Sequence, residues 1–181
     1  NVTGVDNCKL SSDLKINEFQ FFHQSVESFL KDHKEKYDLI ILSDVIEHLY
    51  NPWHTLKEIK NNLKKNSIVL LSIPNFQNIK YIDAIASGKF FYQKTGLFDE
   101  THIRFFTKDT IESYLSNLDF KINSTGWRED ETIKNIKERL LKELLNKEFV
   151  YLELKNIRLK IFKENIKNYL SQQILVCFSN E

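Results

Sequence analysis

The chain has 181 residues, with 26 Lys and Arg against 25 Asp and Glu, a formal net charge of +1. At 41% hydrophobic and 28% charged residues it has the composition of one folded domain, which excludes a fully disordered tail. The balanced charge supplies no global field for nucleic acid or an anionic membrane, and no run approaches the roughly 18 apolar residues of a membrane span.

The elements follow in chain order. Val2 to Val5 is a short apolar run ending at Gly4-Val5-Asp6, the pattern of a strand that reaches an acidic tip. Phe19, Phe21 and Phe22 lead a second strand that closes near Gln24-Ser25. In Tyr37-Asp38-Leu39-Ile40-Ile41-Leu42, four consecutive branched aliphatics predict a strand covered on both faces. Asn51-Pro52 reads as an N-cap and first helical residue, and Leu56, Ile59 and Leu63 give that helix its apolar stripe. Ser67 to Ile73 is a second strand of the doubly covered type, stopped by Pro74. Thr107 caps a helix that buries Ile111, Tyr114 and Leu115, and Phe120 to Ser124 begins the next strand.

From 132 to 170 the spacing predicts helices: Ile133, Ile136, Leu140 and Leu144, then Val150, Leu154, Ile157 and Ile161, recur mostly at three and four. Ile174 to Phe178 is a closing strand. Strand, helix and strand in alternation predict an α/β fold with a mostly parallel sheet and flanking helices. The expected organisation is a single domain over 1–181 with a helical insertion at about 132–170. Cys8 and Cys177 form neither a metal-type spacing nor a disulfide framework, which points to a reducing, cytoplasmic setting.

In such sheets ligands sit outside the carboxyl ends of the strands, so the residues after each strand carry the chemistry. These are Asp6, Ser25, Ser43-Asp44 and Asn75. An acid after a strand can accept both hydroxyls of a ribose, and it can equally cap the next turn. If a helix starts near Asp44, then Asp44, Glu47 and His48 share one of its faces. Two carboxylates and an imidazole there could hold a divalent ion, or the Glu-His pair could tie the helix start to neighbouring loops. Asp99 and Arg104 are placed to pair across the Gly96 loop. Trp53, Phe90, Phe91, Tyr92 and Trp127 read as packing aromatics.

Ser43-Asp44-Val45-Ile46-Glu47-His48-Leu49, with Tyr37-Asp38 before it and Pro52 after it, resembles the post-strand-four motif of class I S-adenosylmethionine-dependent methyltransferases. Leu71-Ser72-Ile73-Pro74-Asn75 is similar to that family's fifth-strand motif. The segment from Gly96 to Thr107 resembles one found in a bacterial subgroup associated with glycan and surface-polysaccharide enzymes. The likeness runs from Val2 to about Trp127, and Gln173 to Phe178 resembles the last strand. It begins at the family's second strand. The glycine-rich loop after strand one has no counterpart, so the resemblance implies a Rossmann-like class I methyltransferase fold lacking strand one, truncated at its amino terminus.

The resemblance implies S-adenosylmethionine as cofactor, with Asp6 on the ribose, Ser25 and Val26 at the adenine, and Ser43 and Asp44 bordering the methionine end. Ser25 stands where many relatives carry an acid. Glu47, His48 and His102 are implied nearest the transferred methyl group, with His48 and His102 as candidate general bases. Ubiquinone-pathway O-methyltransferases and RNA 3′-terminal 2′-O-methyltransferases resemble the Asp44, Glu47, His48 arrangement, with His102 at a later matching position, but no metal ligand is assigned from the sequence. The implied acceptor is a small molecule or sugar entering over Asn75, Gly96 to Arg104 and the helical insertion. Metal-assisted methylation of RNA ends and a non-catalytic scaffold are the alternatives. No membrane partner is expected and nucleic acid is disfavoured.

Overall fold

A computed structural model describes residues 1–10 and 19–180. β1 (Val2–Asp6) and β2 (Phe19–His23) pair in parallel as a two-stranded sheet. α1 (Val26–Asp32) follows directly. β3 (Tyr37–Ser43) leads through a single 3-10 turn (Ile46–His48) and α2 (Pro52–Asn61) to β4 (Leu63–Pro74), which lies parallel to β3. The cap predicted at Asn51 is present: its side-chain oxygen accepts from the His54 amide at 3.2 Å, and Pro52 opens the helix. Leu63, expected on the helix stripe, is the buried first residue of β4.

Then come α3 (Ile79–Ala86), α4 (Lys108–Asn117) and β5 (Phe120–Glu129). Thr107 and Thr110 form a reciprocal capping box at the start of α4. The chain continues through α5 (Lys134–Glu143), β6 (Phe149–Glu153), β7 (Arg158–Phe162) and α6 (Ile166–Leu170), and closes with β8 (Ser171–Asn180). The main sheet has the order β3-β4-β8-β5. β8 runs antiparallel to both of its neighbours, so the other three strands point the same way. The expected α/β fold with a mostly parallel sheet is what the chain forms.

One apolar cluster fills the space between this sheet and α1, α2 and α4. Leu42, Val69, Ile73, Val176 and Phe178 from the strands meet Phe29, Leu56, Ile59, Ile111 and Leu115 from the helices. Each fully buried aliphatic of this kind contributes about 1.5–3 kcal/mol. The opposite face differs from expectation. Leu39, Ile41, Ile68, Leu70 and Leu175 are exposed, so β3 and β4 bury alternate residues and are covered on one side only. No described element packs against that second face, and sequence periodicity cannot distinguish a covered aliphatic from a bare one.

The segment 132–170 departs further. Among its described residues the α-helices are α5 and the short α6, adjoined by 3-10 turns, and residues 149–162 form an antiparallel hairpin. Val150, Leu152 and Ile161 are buried while Tyr151, Glu153 and Lys160 face outward, a period of two that the three-and-four spacing masked. The hairpin, α3, α5 and α6 share a second apolar cluster built on Ile79, Leu140, Leu152, Ile161 and Leu170.

A buried polar knot joins this cluster to the carboxyl end of β4. Asp130, 1% exposed in its side chain, receives Lys80 Nζ at 2.9 Å and the Thr132 hydroxyl at 2.6 Å. Burial pushes the Asp130 carboxyl up, but the Thr132 and Lys80 hydrogen bonds and the Lys80 charge outweigh it and hold the carboxyl below the ordinary range. The carboxylate therefore stabilises the fold above about pH 4, and that contribution is lost as the pH falls through its depressed value. Urea midpoints measured from pH 6 down to pH 3 are expected to fall more steeply for the parent than for Asp130→Asn.

Candidate functional site

The carboxyl end of β3 turns abruptly. Asp44 has a φ of +51°, so it is not the first residue of a helix, and the shared helical face expected for Asp44, Glu47 and His48 does not form. The left-handed turn aims the Asp44 carboxylate at β8, where Gln173 Nε2 donates to its two oxygens at 2.7 and 2.8 Å. Ser43 lies beside it, its hydroxyl oxygen 3.4 Å from that of Ser72.

Glu47 and His48 then face a loop that opens at Gly96, whose φ of +89° only glycine adopts easily. The Glu47 carbonyl accepts from the amides of Ile103 and Arg104, both at 3.0 Å, which fastens the loop to the 3-10 turn. His102 is thereby set beside His48, ring centroids 4.8 Å apart and the ring planes tilted by 60°. Asp99 does not pair with Arg104. Its Oδ1 accepts from the Thr101 amide at 2.8 Å and the Thr101 hydroxyl at 2.5 Å, while Arg104 donates to the Tyr50 and Ile103 carbonyls.

Asp44, Glu47, His48, Asp99 and His102 line one cleft of about 290 Å³ at the end of β3. The Glu47 carboxylate is its most unusual group. Glu47 is 1% exposed, and among the described residues neither side-chain oxygen has a hydrogen-bond partner. Burial pushes its carboxyl up to about 8, with the Asp44 and Asp99 carboxylates adding to the rise. Burial, and then the neighbouring His48, push the His102 imidazole down, which keeps it neutral. Hydrogen bonds from Thr101 hold the Asp99 carboxyl low. Ligand atoms of Glu47, His48 and His102 all lie within 4.8 Å of one another, a spacing a divalent cation could bridge after small side-chain rotations.

The remaining expected positions lie elsewhere. Asp6 ends β1 and accepts from the Cys8 amide at 2.7 Å, so it does cap a turn. Ser25 is the N-cap of α1, its hydroxyl oxygen accepting from the Ser28 amide at 3.1 Å. Val26 lines a separate apolar groove, with Val5 on one bank and Leu42 and Val45 on the other. Asp6 and Asp44 thus flank the two banks of that groove in sequence, but no described cleft is lined by both. Asn75, expected near the acceptor, is fully buried and all its polar atoms are bonded within the protein. Trp53 packs against Phe106 and Tyr114 as expected, whereas Phe91 and Tyr92 are exposed. Gln173 and Thr101 carried no sequence signal, because each acts through a partner distant in the chain or on a loop.

The model of a family described as "Methyltransferase domain" matches residues 1–125. A ubiquinone biosynthesis O-methyltransferase of Glaesserella parasuis is 26% identical over 116 residues, covering 61% of this chain and 49% of that protein. The chain therefore spans about half the length of the curated relative it matches. Among solved structures, a SAM-dependent methyltransferase from Archaeoglobus fulgidus has a TM-score of 0.60 at 16% identity, over 97% of this chain and 74% of that one. The plantazolicin methyltransferase BpumL, crystallised with a triazolic desmethylPZN analog and SAH, has a TM-score of 0.57 at 16% identity, over 100% of this chain and 68% of that one. At such identities these two likenesses speak for the fold.

Proposed function

Because the chain belongs to the methyltransferase domain family, we propose that it is one such domain over residues 1–181 and methylates a hydroxyl of a small molecule or sugar, using S-adenosylmethionine. The observation that carries this reading is the convergence of Glu47, His48 and His102 on one cleft at the carboxyl end of β3. The similar proteins, a ubiquinone biosynthesis O-methyltransferase and the SAH-bound plantazolicin methyltransferase BpumL, support the same donor and a small acceptor.

The residues present suit the donor. Val5, Val26 and Val45 border an apolar groove of a kind that takes a flat heteroaromatic base, and the exposed Asp6, next to Val5 at the end of β1, is the acid that would take the ribose hydroxyls. Ser43 and Asp44 border the methionine end. When bound, the donor supplies an electrophilic methyl group on a sulfonium. The chain's own residues then have two tasks: to align the acceptor oxygen and to take its proton.

His102 is suited to the second task because it stays neutral. Its Nδ1 lies 3.4 Å from the Leu97 carbonyl, which can only accept, so Nδ1 carries the ring proton and Nε2 is the basic nitrogen. Glu47, held protonated near neutral pH, can donate a hydrogen bond to the acceptor oxygen. No described helix is long and apolar enough to cross a membrane.

Calorimetry with S-adenosylmethionine tests the donor, and S-adenosylhomocysteine release across hydroxylated aromatic and sugar acceptors tests the transfer. His102→Ala is expected to lower turnover by about 10²–10⁴-fold with the donor affinity unchanged. A normal rate removes its role, and absence of donor binding favours the non-catalytic scaffold. Turnover is also expected to survive thorough chelation; its loss would hand the acceptor to a cation held by the same three residues.

A further inference from the structure

We propose that Thr101 and Asp99 are positioning residues that fix the tautomer of His48, so that its Nε2 is presented to the cleft chemistry as a proton acceptor. The chain of hydrogen bonds admits one assignment. Asp99 is a carboxylate and can only accept, so the single Thr101 hydroxyl proton goes to its Oδ1, 2.5 Å away. With that proton spent, the Thr101 oxygen can only accept from His48 Nδ1, at 3.0 Å. The Thr101 carbonyl, 3.2 Å from the same nitrogen, is likewise an acceptor. Two acceptors face Nδ1, and Nδ1 must carry the proton. When the ring holds one proton, Nε2 on its far edge is left with the lone pair.

Each link is held by the backbone. The Thr101 amide also donates to Asp99 Oδ1, and the His102 amide donates to the Asp99 carbonyl at 3.1 Å. The carboxylate, hydroxyl and imidazole therefore form a relay on one short loop, with His48 bonded to it from the 3-10 turn. The relay's electrostatic sense is that of a carboxylate orienting a basic imidazole, transmitted here through a hydroxyl on a partly exposed loop. The effect on catalysis rests on the proposed methyl transfer, whereas the tautomer does not.

The test is the ring ¹⁵N spectrum of His48 in the whole chain, recorded without donor or acceptor. The parent is expected to show Nδ1 protonated. In Asp99→Ala the Thr101 hydroxyl is freed to donate to Nδ1 while the Thr101 carbonyl still accepts from it, so the population is expected to shift in part toward the Nε2-protonated form. Thr101→Val, a nearly isosteric change on an exposed side chain, keeps the carbonyl acceptor and should shift the population only in part; Thr101→Ser should restore it. In turnover assays Asp99→Ala is expected to lower kcat about tenfold or more with KM unchanged. A parent His48 protonated at Nε2, or a tautomer population that neither variant moves, overturns the proposal. An expected spectrum from a chain that transfers no methyl group supports the relay and overturns only the enzymatic reading.

Discussion

Asn75→Ala is expected to lower the unfolding free energy by about 3 kcal/mol and the melting temperature by roughly 10 °C. Asn75 is 0% exposed, and its amide nitrogen donates to the carbonyls of Asn168 and Ser171 at 2.7 and 2.9 Å. Its side-chain oxygen accepts from the Gln77 amide at 3.1 Å. Alanine removes all three bonds and strands the Asn168 carbonyl, and Asn78 still serves only Ser171. Each buried backbone group left without a partner costs about 1–3 kcal/mol, more than the net value of the bond it loses. The Asn75 bonds hold the end of β4 to α6 and to the start of β8, so their loss should weaken the docking of the second apolar cluster without undoing it. A urea midpoint that falls with an unchanged m value is the expected result. An unaltered midpoint with a raised KM would return Asn75 to the acceptor site.

Asn75 also illustrates where sequence reasoning stops. Its place after a strand was visible, and so was the polarity that marks strand ends in α/β sheets. What could not be seen was that residues 168–173, almost a hundred positions later, return to cover it. The same limit applies at Asp44. A strand followed by Ser-Asp and a Glu-His pair was legible, but the left-handed turn that gives Asp44 to Gln173 depends on a cross-strand neighbour in β8. Short-range signals fared better: the Asn51-Pro52 start of α2 and the Thr107 cap of α4 are fixed by bonds within four residues. The hairpin at 149–162 failed for a related reason. Val150, Leu154, Ile157 and Ile161 satisfy a helical period, and only Leu152 and Leu159 between them show the period of two. Glu47, His48 and His102 were legible as a group through the resemblance, because that motif travels as a unit; the relay behind His48 was not.

Glu47→Gln is expected to stabilise the protein under alkaline conditions, by on the order of 4 kcal/mol in chelated buffer at pH 9. Burial drives the rise of the Glu47 carboxyl from its ordinary 4.5 to about 8. Below about pH 4.5 the residue is protonated in both folded and unfolded chains and costs nothing electrostatically. Between the two values the unfolded chain releases a proton that the folded chain keeps, so stability declines by about 1.4 kcal/mol for each pH unit. Above about 8 the full cost is reached, because folding must then bury an ionised group with no described hydrogen-bond donor and with Asp44 and Asp99 nearby. Glutamine has nearly the same shape and no charge, so it should remove the decline. Melting temperatures of parent and variant should converge near pH 4 and separate steadily to pH 8. A parent curve parallel to that of Glu47→Gln would mean that a donor reaches the carboxylate in solution. The same substitution should lower turnover if the protonated acid orients the acceptor oxygen, since the amide offers a weaker and differently directed donor. If both effects are found, the buried Glu47 carboxyl weakens the fold and serves the chemistry of the cleft, a trade of stability for activity.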